Sequence, residues 1–229
     1  MSSSTIAIPI FPGTNCEEDV AHAIKLFGGI AKPIYHTETN LDGIDGIVIP
    51  GGFAHGDYLR TGAIARFSPI MAAVEKLSRK GVPVLGICNG FQILCEANML
   101  PGALQKNEGM KFICTETELE VISSSPITSR LEQGARVQIP INHFEGNYTC
   151  DEKTFDELKK NNQIVLRYTN NPNGSRDSIA GICNQQRNIV GLMPHPERAC
   201  EKILGNDDGA EMIKSFLDAV VSSRMALPA

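Results

Sequence analysis

Apolar and polar positions follow two different patterns along the chain. Over the first hundred residues, short runs rich in Ile and Val predict buried strands, and apolar positions spaced three or four apart predict helices between them. The predicted strands cover residues 6–10, 30–35, 44–50 and 82–87, and the predicted helices cover residues 15–27, 62–80 and 91–99, the first capped by Asn15. Strands that alternate with helices favour a parallel sheet with helices on both faces.

Beyond residue 110 the runs become longer and predict antiparallel strands. These cover residues 112–122, 135–141, 163–168, 178–183 and 188–193, and an amphipathic helix over residues 208–221 follows them. The chain has 229 residues, of which 42% are hydrophobic, and shows no repeat, linker or low-complexity segment. We therefore predict one α/β domain over residues 1–229, with a doubly wound, mainly parallel, flavodoxin-like sheet and an antiparallel strand extension.

Composition and charge exclude several classes of protein. The chain carries 26 acidic and 21 basic residues, a net charge of −5, and has no basic stripe, so we expect no nucleic-acid partner. No apolar run approaches the ~20 residues of a membrane span, and no signal-peptide pattern is visible, so we expect a cytoplasmic protein without membrane contact. The seven cysteines include no C-x-x-C pair, which favours reduced thiols and no metal site.

One pentapeptide predicts a nucleophile. A buried strand runs through Gly86-Ile87-Cys88-Asn89-Gly90 directly into a helix. In such an elbow the flanking glycines relieve crowding, the turn lifts Cys88 above the sheet, and the helix N-terminus stabilises negative charge on its sulfur. The backbone N–H of Asn89 is a candidate oxyanion donor at the same place. The alternative is a buried structural cysteine in a glycine-rich turn.

A second loop is a candidate for the other half of an oxyanion hole. The buried strand over residues 44–50 ends in Gly51 and Gly52, and ligands of doubly wound sheets bind at the carboxyl ends of the strands. A Gly-Gly turn exposes backbone N–H groups that no side chain covers, which suits oxyanion binding. A simple tight turn is the alternative, and no phosphate-binding glycine pattern follows the loop.

Two residues that alternate with prolines are candidates for a base and its orienting carboxylate. Pro194 and Pro196 keep the residues before them extended, so His195 and Glu197, two positions apart, share one side of the chain. With Cys88 they would complete a set of nucleophile, base and orienting carboxylate.

Two further polar positions carry alternatives. His143 and Glu145 have the same spacing as the proline-flanked pair, and spacing alone does not choose between the two pairs. The proline-locked backbone favours His195 as the base, and we expect His143 to affect substrate binding or partner contact instead. Gln92 lies one helical turn after Cys88, where it could face a substrate or be a solvated helix side chain.

Three segments, in chain order, resemble those of class I (triad-type) glutamine amidotransferases. They are Pro-Gly-Gly-Phe at 50–53, Gly-Ile-Cys-Asn-Gly-Phe-Gln at 86–92 and Met-Pro-His-Pro-Glu-Arg at 193–198. The segments at 12–17, 55–60 and 171–175 are similar to those of family members that are stand-alone glutaminase subunits in purine synthesis. The resemblance covers nearly the whole chain.

The resemblance implies a mechanism. Cys88 would attack the side-chain amide of glutamine to give a γ-glutamyl thioester and ammonia, His195 would shuttle the proton, and Glu197 would orient the imidazole. The oxyanion donors would be the N–H groups of Gly52 and Asn89, and the glutamine contacts would be Gly51, Gln92 and His143.

The resemblance also implies partners. Ammonia would pass to a separate large synthetase subunit, which uses ATP and Mg and converts formylglycinamide ribonucleotide to its amidine, often together with a small accessory subunit. This chain would hold no cofactor of its own. We expect His55, Tyr58 and Arg60 to form an exposed docking loop.

Other interpretations remain at this point. The chain would otherwise be a glutaminase subunit of another amidotransferase, or a non-catalytic regulatory protein that keeps a reactive cysteine in the same fold. Two residues depart from the family pattern, Phe144 in the segment after Asn142 and Arg187 in a hairpin where glycine is common.

Overall fold

Eleven strands and five α-helices make up the regular structure of the computed structural model, which describes residues 3–226. The strands are β1 (Thr5–Ile10), β2 (Ile30–Tyr35), β3 (Gly46–Ile49), β4 (Val84–Ile87), β5 (Ala103–Gln105), β6 (Ile113–Val121), β7 (Arg136–His143), β8 (Asn147–Thr149), β9 (Ile164–Tyr168), β10 (Ile179–Cys183) and β11 (Ile189–Leu192). The helices are α1 (Glu17–Leu26), α2 (Pro69–Arg79), α3 (Asn89–Glu96), α4 (Glu152–Lys160) and α5 (Ala210–Ala226).

Nine of the strands form one mixed sheet in the order β2-β1-β3-β4-β11-β10-β9-β6-β7. The first five in that order pair in parallel, and every pair from β11 onward is antiparallel. β5 and β8 form a separate two-stranded antiparallel sheet. The predicted fold class, a mainly parallel sheet with helices and an antiparallel extension, is confirmed.

The predicted helix over residues 62–80 is wrong at its beginning. α2 starts only at Pro69, and a short 3₁₀ turn covers residues 65–67. Ser68 is extended, with ψ of 141°, because the residue before a proline is pushed out of the helical region. The apolar positions before Ser68 therefore belong to a loop, in which Ala65 is buried and Phe67 is exposed.

Local chemistry at two other helix starts also differs from the prediction. Asn15 does not cap α1: the residue before the helix is Cys16, and no side chain caps it. The whole of α4 was missed, although Asp151 accepts a hydrogen bond from the Thr154 backbone N–H at 2.7 Å, as an N-cap aspartate does. Only two apolar side chains, Phe155 and Leu158, mark this helix, so no longer apolar pattern announces it.

One main cluster of buried apolar side chains runs through both halves of the sheet. It joins Ile8, Val48 and Leu85 of the parallel strands to Leu119 and Ile139 of the antiparallel ones. Within residues 3–226, no helix is both long and apolar enough to cross a membrane.

Candidate active site

Three adjacent parallel strands bring the predicted site residues to one edge of the sheet. β3, β4 and β11 lie side by side, with Ile49 paired to Gly86 and Leu192 paired to Ile87. Because the strands end in register, the loops that follow them converge at the carboxyl edge, where doubly wound sheets bind ligands. These loops carry Gly51, Gly52, Cys88, His195 and Glu197.

Cys88 occupies a strained turn between β4 and α3. Its φ of 51° and ψ of −105° lie outside the helical and extended regions, and its backbone N–H donates to the Leu192 oxygen at 2.8 Å. A Cβ on Gly90 would overlap the backbone oxygen of Ile49, and a Cβ on Gly86 would lie 2.7 Å from the Gly90 backbone. The close approach of strand and helix therefore requires both glycines, as in a nucleophile elbow.

His195 and Glu197 form a pair that solvent does not reach. The Nδ1 atom of His195 lies 2.7 Å from Oε1 of Glu197, and the two side chains are 1% and 0% exposed. The Nε2 atom of His195 is buried and makes no hydrogen bond to the described residues. A Cβ on Gly51 would lie 2.8 Å from Cε1 of this ring and 3.5 Å from Cβ of Cys88, so all three residues meet at one point.

The surroundings of His195 favour its protonated form. Burial by itself lowers the pKa of the imidazole, but the electrostatic interactions with Glu197 and, to a smaller extent, with Cys88 outweigh burial and raise the pKa to about 10. A proton is therefore held on the ring beside the Cys88 sulfur at neutral pH. The protonated ring can therefore donate its proton to the group that leaves a substrate carbon when the Cys88 sulfur attacks that carbon.

The side chains of His143 and Glu145, the alternative His–Glu pair, bond to different partners. The Nδ1 atom of His143 lies 3.0 Å from Oδ1 of Asn107, and Oε2 of Glu145 accepts a hydrogen bond from the Thr61 hydroxyl at 2.8 Å. Burial and, to a smaller extent, the charge of His195 lower the pKa of His143 to about 4. The geometry therefore favours the proline-flanked pair as base and carboxylate.

The Asn89 side chain connects the loop after β3 to the elbow. Its Oδ1 accepts from the Ala54 backbone N–H at 3.1 Å, and its Nδ2 donates to Oε1 of Gln92 at 2.9 Å. The Nε2 atom of Gln92 donates in turn to the Glu145 backbone oxygen at 2.5 Å. The Ala54 N–H must face an oxygen, and the Glu145 backbone oxygen must face an N–H. These two contacts therefore assign the oxygen and nitrogen positions of both side-chain amides. The sequence predicted a role only for the backbone of Asn89 and missed its side chain.

The two predicted oxyanion donors come from different loops. Gly52 follows β3 and lines the cavity over Cys88, with a φ of 139° and no room for a Cβ, which would lie 2.7 Å from the Asn15 backbone nitrogen. Asn89 begins α3, so its backbone N–H has no acceptor inside the helix. Both N–H groups remain candidates for the role.

A cavity of about 280 Å³ opens at Cys88. Its lining includes five residues with a predicted role at the site: Gly52, Cys88, Gln92, His143 and His195. It also includes six residues to which the sequence assigned no role there: Asn15, Cys16, Phe53, Asp57, Thr61 and Asn142. These six come from three separate segments, residues 15–16, residues 53–61 and the end of β7, and only the fold brings these segments together.

The predicted docking loop is exposed at its tip. Tyr58 and Leu59 are 71% and 80% exposed, and Phe53, which also lines the cavity, is 47% exposed. The backbone bends sharply here, with positive φ values at His55, Asp57 and Leu59. The loop therefore presents apolar and aromatic surface beside the cavity mouth.

The other two predicted docking residues are anchored. Arg60 donates to both carboxylate oxygens of Glu96, at 2.6 and 2.7 Å, although its side chain remains 62% exposed. His55 is partly buried, and its ring meets that of His36 edge to face, with 5.3 Å between centroids. These contacts hold both ends of the exposed tip.

The two departures from the family pattern have different positions. Phe144 lines the cavity, and its backbone oxygen accepts from the Asn107 N–H at 2.8 Å. Arg187 lies in the turn before β11 with a φ of 57°, the left-handed conformation that glycine adopts without strain, and it donates to the Asn162 backbone oxygen at 3.0 Å.

The family of the chain is established by comparison with known proteins. Residues 3–217 match the family described as CobB/CobQ-like glutamine amidotransferase domain. The chain belongs to the glutamine amidotransferase family. It is 51% identical over 225 residues to phosphoribosylformylglycinamidine synthase subunit PurQ of Koribacter versatilis, covering 92% of this chain and 96% of that protein. The predicted family, an enzyme family, is thereby confirmed.

Two solved structures share the fold of this amidotransferase. One is a structure of PurLQS from Thermotoga maritima, in which the matching chain has a TM-score of 0.87 and 38% identity, over 95% of this chain and 99% of that one. The other is a putative GMP synthase component from Thermoplasma acidophilum, with a TM-score of 0.70 and 18% identity over 99% and 98% of the two chains. The second likeness concerns the fold alone.

Proposed function

We propose that this chain is the glutaminase subunit of a phosphoribosylformylglycinamidine synthase, which releases ammonia from glutamine for use by a synthetase subunit. One observation carries the chemistry: Cys88, in an elbow, shares a cavity with His195, whose Nδ1 is 2.7 Å from Glu197. The 51% identity to PurQ of Koribacter versatilis over nearly the full length of both chains supports the choice of synthase.

The reaction has two halves. The Cys88 sulfur attacks the side-chain amide carbon of glutamine, a carbon–sulfur bond forms, and the carbon–nitrogen bond breaks as His195 gives its proton to the leaving nitrogen. Water then attacks the thioester carbon and gives a proton to His195, and the carbon–sulfur bond breaks, which releases glutamate and frees the Cys88 sulfur. Glutamine and water are consumed, and glutamate and ammonia are produced.

Four polar groups in or beside the cavity support this chemistry. The N–H groups of Gly52 and Asn89 stabilise the oxyanion of the tetrahedral intermediates. Gln92 keeps one N–H of its amide free after bonding the Glu145 oxygen, and it offers this hydrogen to the substrate. Neutral His143, with a buried Nε2 that has no partner among the described residues, is a second substrate contact.

Ammonia produced here serves a partner. The matching solved structure is one of PurLQS, so we infer a large synthetase subunit of the PurL kind and a small subunit of the PurS kind as partners. In this proposal ATP and Mg are used by the synthetase, which forms formylglycinamidine ribonucleotide, and the reaction occurs in the cytoplasm.

The test measures glutamate release from glutamine and amidine formation by the reconstituted complex. The complex is expected to use glutamine or free ammonia as nitrogen source. Without this chain it should use only ammonia. If a complex lacking this chain uses glutamine equally well, or if this chain supports a different ATP-dependent synthetase better than a PurL-type one, the assignment is wrong.

A further inference from the structure

Arg198 connects the turn that carries His195 and Glu197 to the first turn of α1. Its Nε donates to Oδ2 of Asp19 at 3.0 Å, and its Nη2 donates to the sulfur of Cys16 at 3.0 Å. Glu197 and Arg198 belong to one short 3₁₀ turn, so these two contacts hold that turn against α1. The arginine therefore ties the base and its carboxylate to a different element of the fold.

The Cys16 sulfur brings this anchor close to the His195 ring. A Cβ on Gly51 would lie 3.1 Å from that sulfur and 2.8 Å from Cε1 of His195, so the two groups approach the same point. Cys16 lines the cavity, whereas Arg198, which contacts its sulfur, does not. The positive charge of the guanidinium therefore lies directly behind the cavity wall.

The Glu197 carboxylate needs a second positive neighbour at one stage of the reaction. Its Oε1 lies 2.7 Å from Nδ1 of His195, whereas its Oε2 is buried and has no hydrogen-bond partner among the described residues. While His195 is protonated, the two side chains form a buried ion pair. When His195 gives its proton to the leaving nitrogen, the pair loses its cation, and an unpaired buried carboxylate is costly.

Arg198 is placed to supply that second charge. Burial by itself lowers the pKa of its guanidinium, but electrostatic interactions with Cys16, Glu197 and Asp19, together with the hydrogen bond to Asp19, outweigh burial and raise it. The attraction between Arg198 and Glu197 is mutual, so it also stabilises the negative charge of the carboxylate.

The other titratable groups that face the His195–Glu197 pair from the described residues are three thiols and one imidazole. Burial raises the pKa of two of the thiols to about 12 and lowers the pKa of the imidazole to about 4, so all three are neutral at pH 7. The third thiol, the nucleophile, carries no positive charge in either of its forms. Lys214 lies near one of the thiols but is paired with Glu211 at 2.6 Å. The four groups are Cys16, Cys88, Cys200 and His143.

We propose that Arg198 is a positioning residue for proton transfer, which holds the His195–Glu197 turn against α1 and stabilises the Glu197 carboxylate while His195 is neutral. This inference rests on the proposed function, in which His195 carries the proton. Without the guanidinium, the imidazole holds its proton more tightly, because a nearby positive charge no longer opposes it. Proton donation to the leaving nitrogen then becomes slower, whereas substrate binding is kept, because Arg198 does not line the cavity.

The experiment measures kcat, KM and the pH profile of kcat for glutamine hydrolysis by the reconstituted complex. Arg198→Met keeps the length of the side chain and removes its charge. It should lower kcat roughly 10-fold, the lower end of the range for losing a hydrogen bond to a charged group, and should change KM by less than about threefold. The alkaline limb of the profile, assigned to His195, should move to higher pH, which is the opposite of the shift that loss of the Glu197 charge would cause.

Two variants separate the charge of Arg198 from its anchoring contact. Arg198→Lys keeps a positive charge at this position, so it should retain most of kcat and leave the alkaline limb at its wild-type pH. Asp19→Asn weakens the anchor but leaves the guanidinium charged, so it should lower kcat less than Arg198→Met does and should not move the limb to higher pH.

Arg130→Met is the matched control. The Nε of Arg130 donates to Oδ2 of Asp218 at 2.6 Å in a half-exposed ion pair, and neither residue lines the cavity. This substitution removes the same kind of surface pair, and it should leave kcat, KM and the alkaline limb unchanged.

An alkaline limb that stays at its wild-type pH in Arg198→Met would overturn the inference, because a loss of packing alone does not change the affinity of His195 for its proton. A rise in KM in place of the fall in kcat would overturn it as well, and so would equal losses in Arg198→Lys and Arg198→Met. Arg198→Gln, which is neutral but can still bond Asp19, repeats the test with the same expected results if urea denaturation shows that the methionine variant does not fold. If the wild-type complex hydrolyses no glutamine, the proposed function fails first, and this outcome is distinct from the others.

Discussion

The Nδ1 atom of His195 lies 2.7 Å from Oε1 of Glu197 inside a nearly solvent-free part of the molecule. A second His–Glu contact of similar length, 2.6 Å between His22 and Glu201, lies on the surface, where the imidazole is 60% exposed. The two contacts have similar lengths but differ in burial. Comparing substitutions at the two sites therefore distinguishes the effect of a buried charge from that of a hydrogen bond alone.

Glu197→Gln should therefore lower glutamine turnover strongly. The change keeps the side-chain shape but removes the negative charge that raises the pKa of His195, so the ring loses its proton at a lower pH. We expect kcat to fall on the order of 10²-fold or more, the range of general acid–base catalysis. A pH profile of kcat should show the limb assigned to His195 shifted toward lower pH.

The matched control is Glu201→Gln. It removes the negative charge from the exposed contact with His22 and should change kcat by less than about twofold. If both substitutions gave the same small effect, Glu197 would be a packing residue and the assignment of His195 as proton carrier would fail.

Cys88→Ser tests the nucleophile directly. The hydroxyl is a poorer nucleophile and leaving group than the thiol, so glutamine-dependent amidine synthesis by the complex should become undetectable. Ammonia-dependent synthesis should persist, because free ammonia bypasses this chain. Both rates are measured on one preparation, which excludes loss of assembly as the cause.

Cys16→Ser is the appropriate control for Cys88→Ser. Cys16 lines the same cavity, and burial raises the pKa of its thiol to about 12, so it remains protonated and unreactive. Its substitution should retain most of the glutamine-dependent rate. Retained activity in Cys88→Ser, with loss in Cys16→Ser, would exchange the roles of the two cysteines.

Local sequence rules were sufficient to predict those site residues whose positions depend on a single turn. Glycine at 86 and 90 marks the elbow because the close approach of strand and helix excludes a Cβ there, and this constraint is visible in a single pentapeptide. The two-residue spacing of His195 and Glu197 is likewise a local property of an extended backbone. Their meeting with Cys88 was an inference from fold class.

The residues that sequence analysis missed depend on contacts between distant segments. Asp57, in the loop after β3, and Asn142, near the end of β7, line the cavity because these segments converge over Cys88, whose sulfur lies 3.7 Å from the Asn142 backbone oxygen. The bond from Asn89 to the Ala54 backbone spans 35 positions. No periodicity or local spacing encodes such contacts.

Gly90→Ala should destabilise the fold. A Cβ at this position would overlap the Ile49 backbone, and neither β3 nor α3 can move without disturbing the sheet. We expect the free energy of unfolding to fall by about 3 kcal/mol or more, measured by urea denaturation. At exposed Gly109 a Cβ meets nothing within 4 Å, so Gly109→Ala should change stability by about 0.5 kcal/mol or less. Similar values for both variants would refute the close packing inferred at the elbow.

His143 should make the protein less stable in acid. Its folded-state pKa is lowered to about 4 against an ordinary 6.5, so the unfolded chain binds the proton more tightly. This contribution is complete above pH 6.5 and is lost as the pH falls toward 4, on the order of 3 kcal/mol in all. His195, with its raised pKa, contributes below pH 6.5 and loses its contribution as the pH rises toward 10.

Denaturant unfolding between about pH 4 and pH 6.5 isolates the contribution of His143, because the contribution of His195 changes only at higher pH. The slope of unfolding free energy against pH should flatten in His143→Gln and stay unchanged in His22→Gln, which alters an exposed ring. A wild-type slope in His143→Gln would show that other groups produce the acid sensitivity.

Partner binding should act on catalysis through the exposed loop at Tyr58. The loop is bonded to the elbow through the Asn89 side chain, which accepts from the Ala54 N–H at 3.1 Å and donates to Asp57 at 3.5 Å. It begins at Gly52, whose peptide is free to adopt orientations that other residues cannot. We therefore expect the isolated chain to hydrolyse glutamine slowly and the synthetase to raise kcat by fixing the Gly51–Gly52 peptide toward the oxyanion.

Tyr58→Ala tests whether this loop transmits the activation. The substitution should reduce the activation by the synthetase roughly 10-fold, as removal of a central aromatic contact does in other interfaces, and should leave the basal rate unchanged. Tyr35→Ala, at a tyrosine that is 50% exposed on β2, should alter neither rate. Steady-state rates of the free chain and the complex decide the matter: equal kcat in both states would mean that the loop docks without controlling the oxyanion hole.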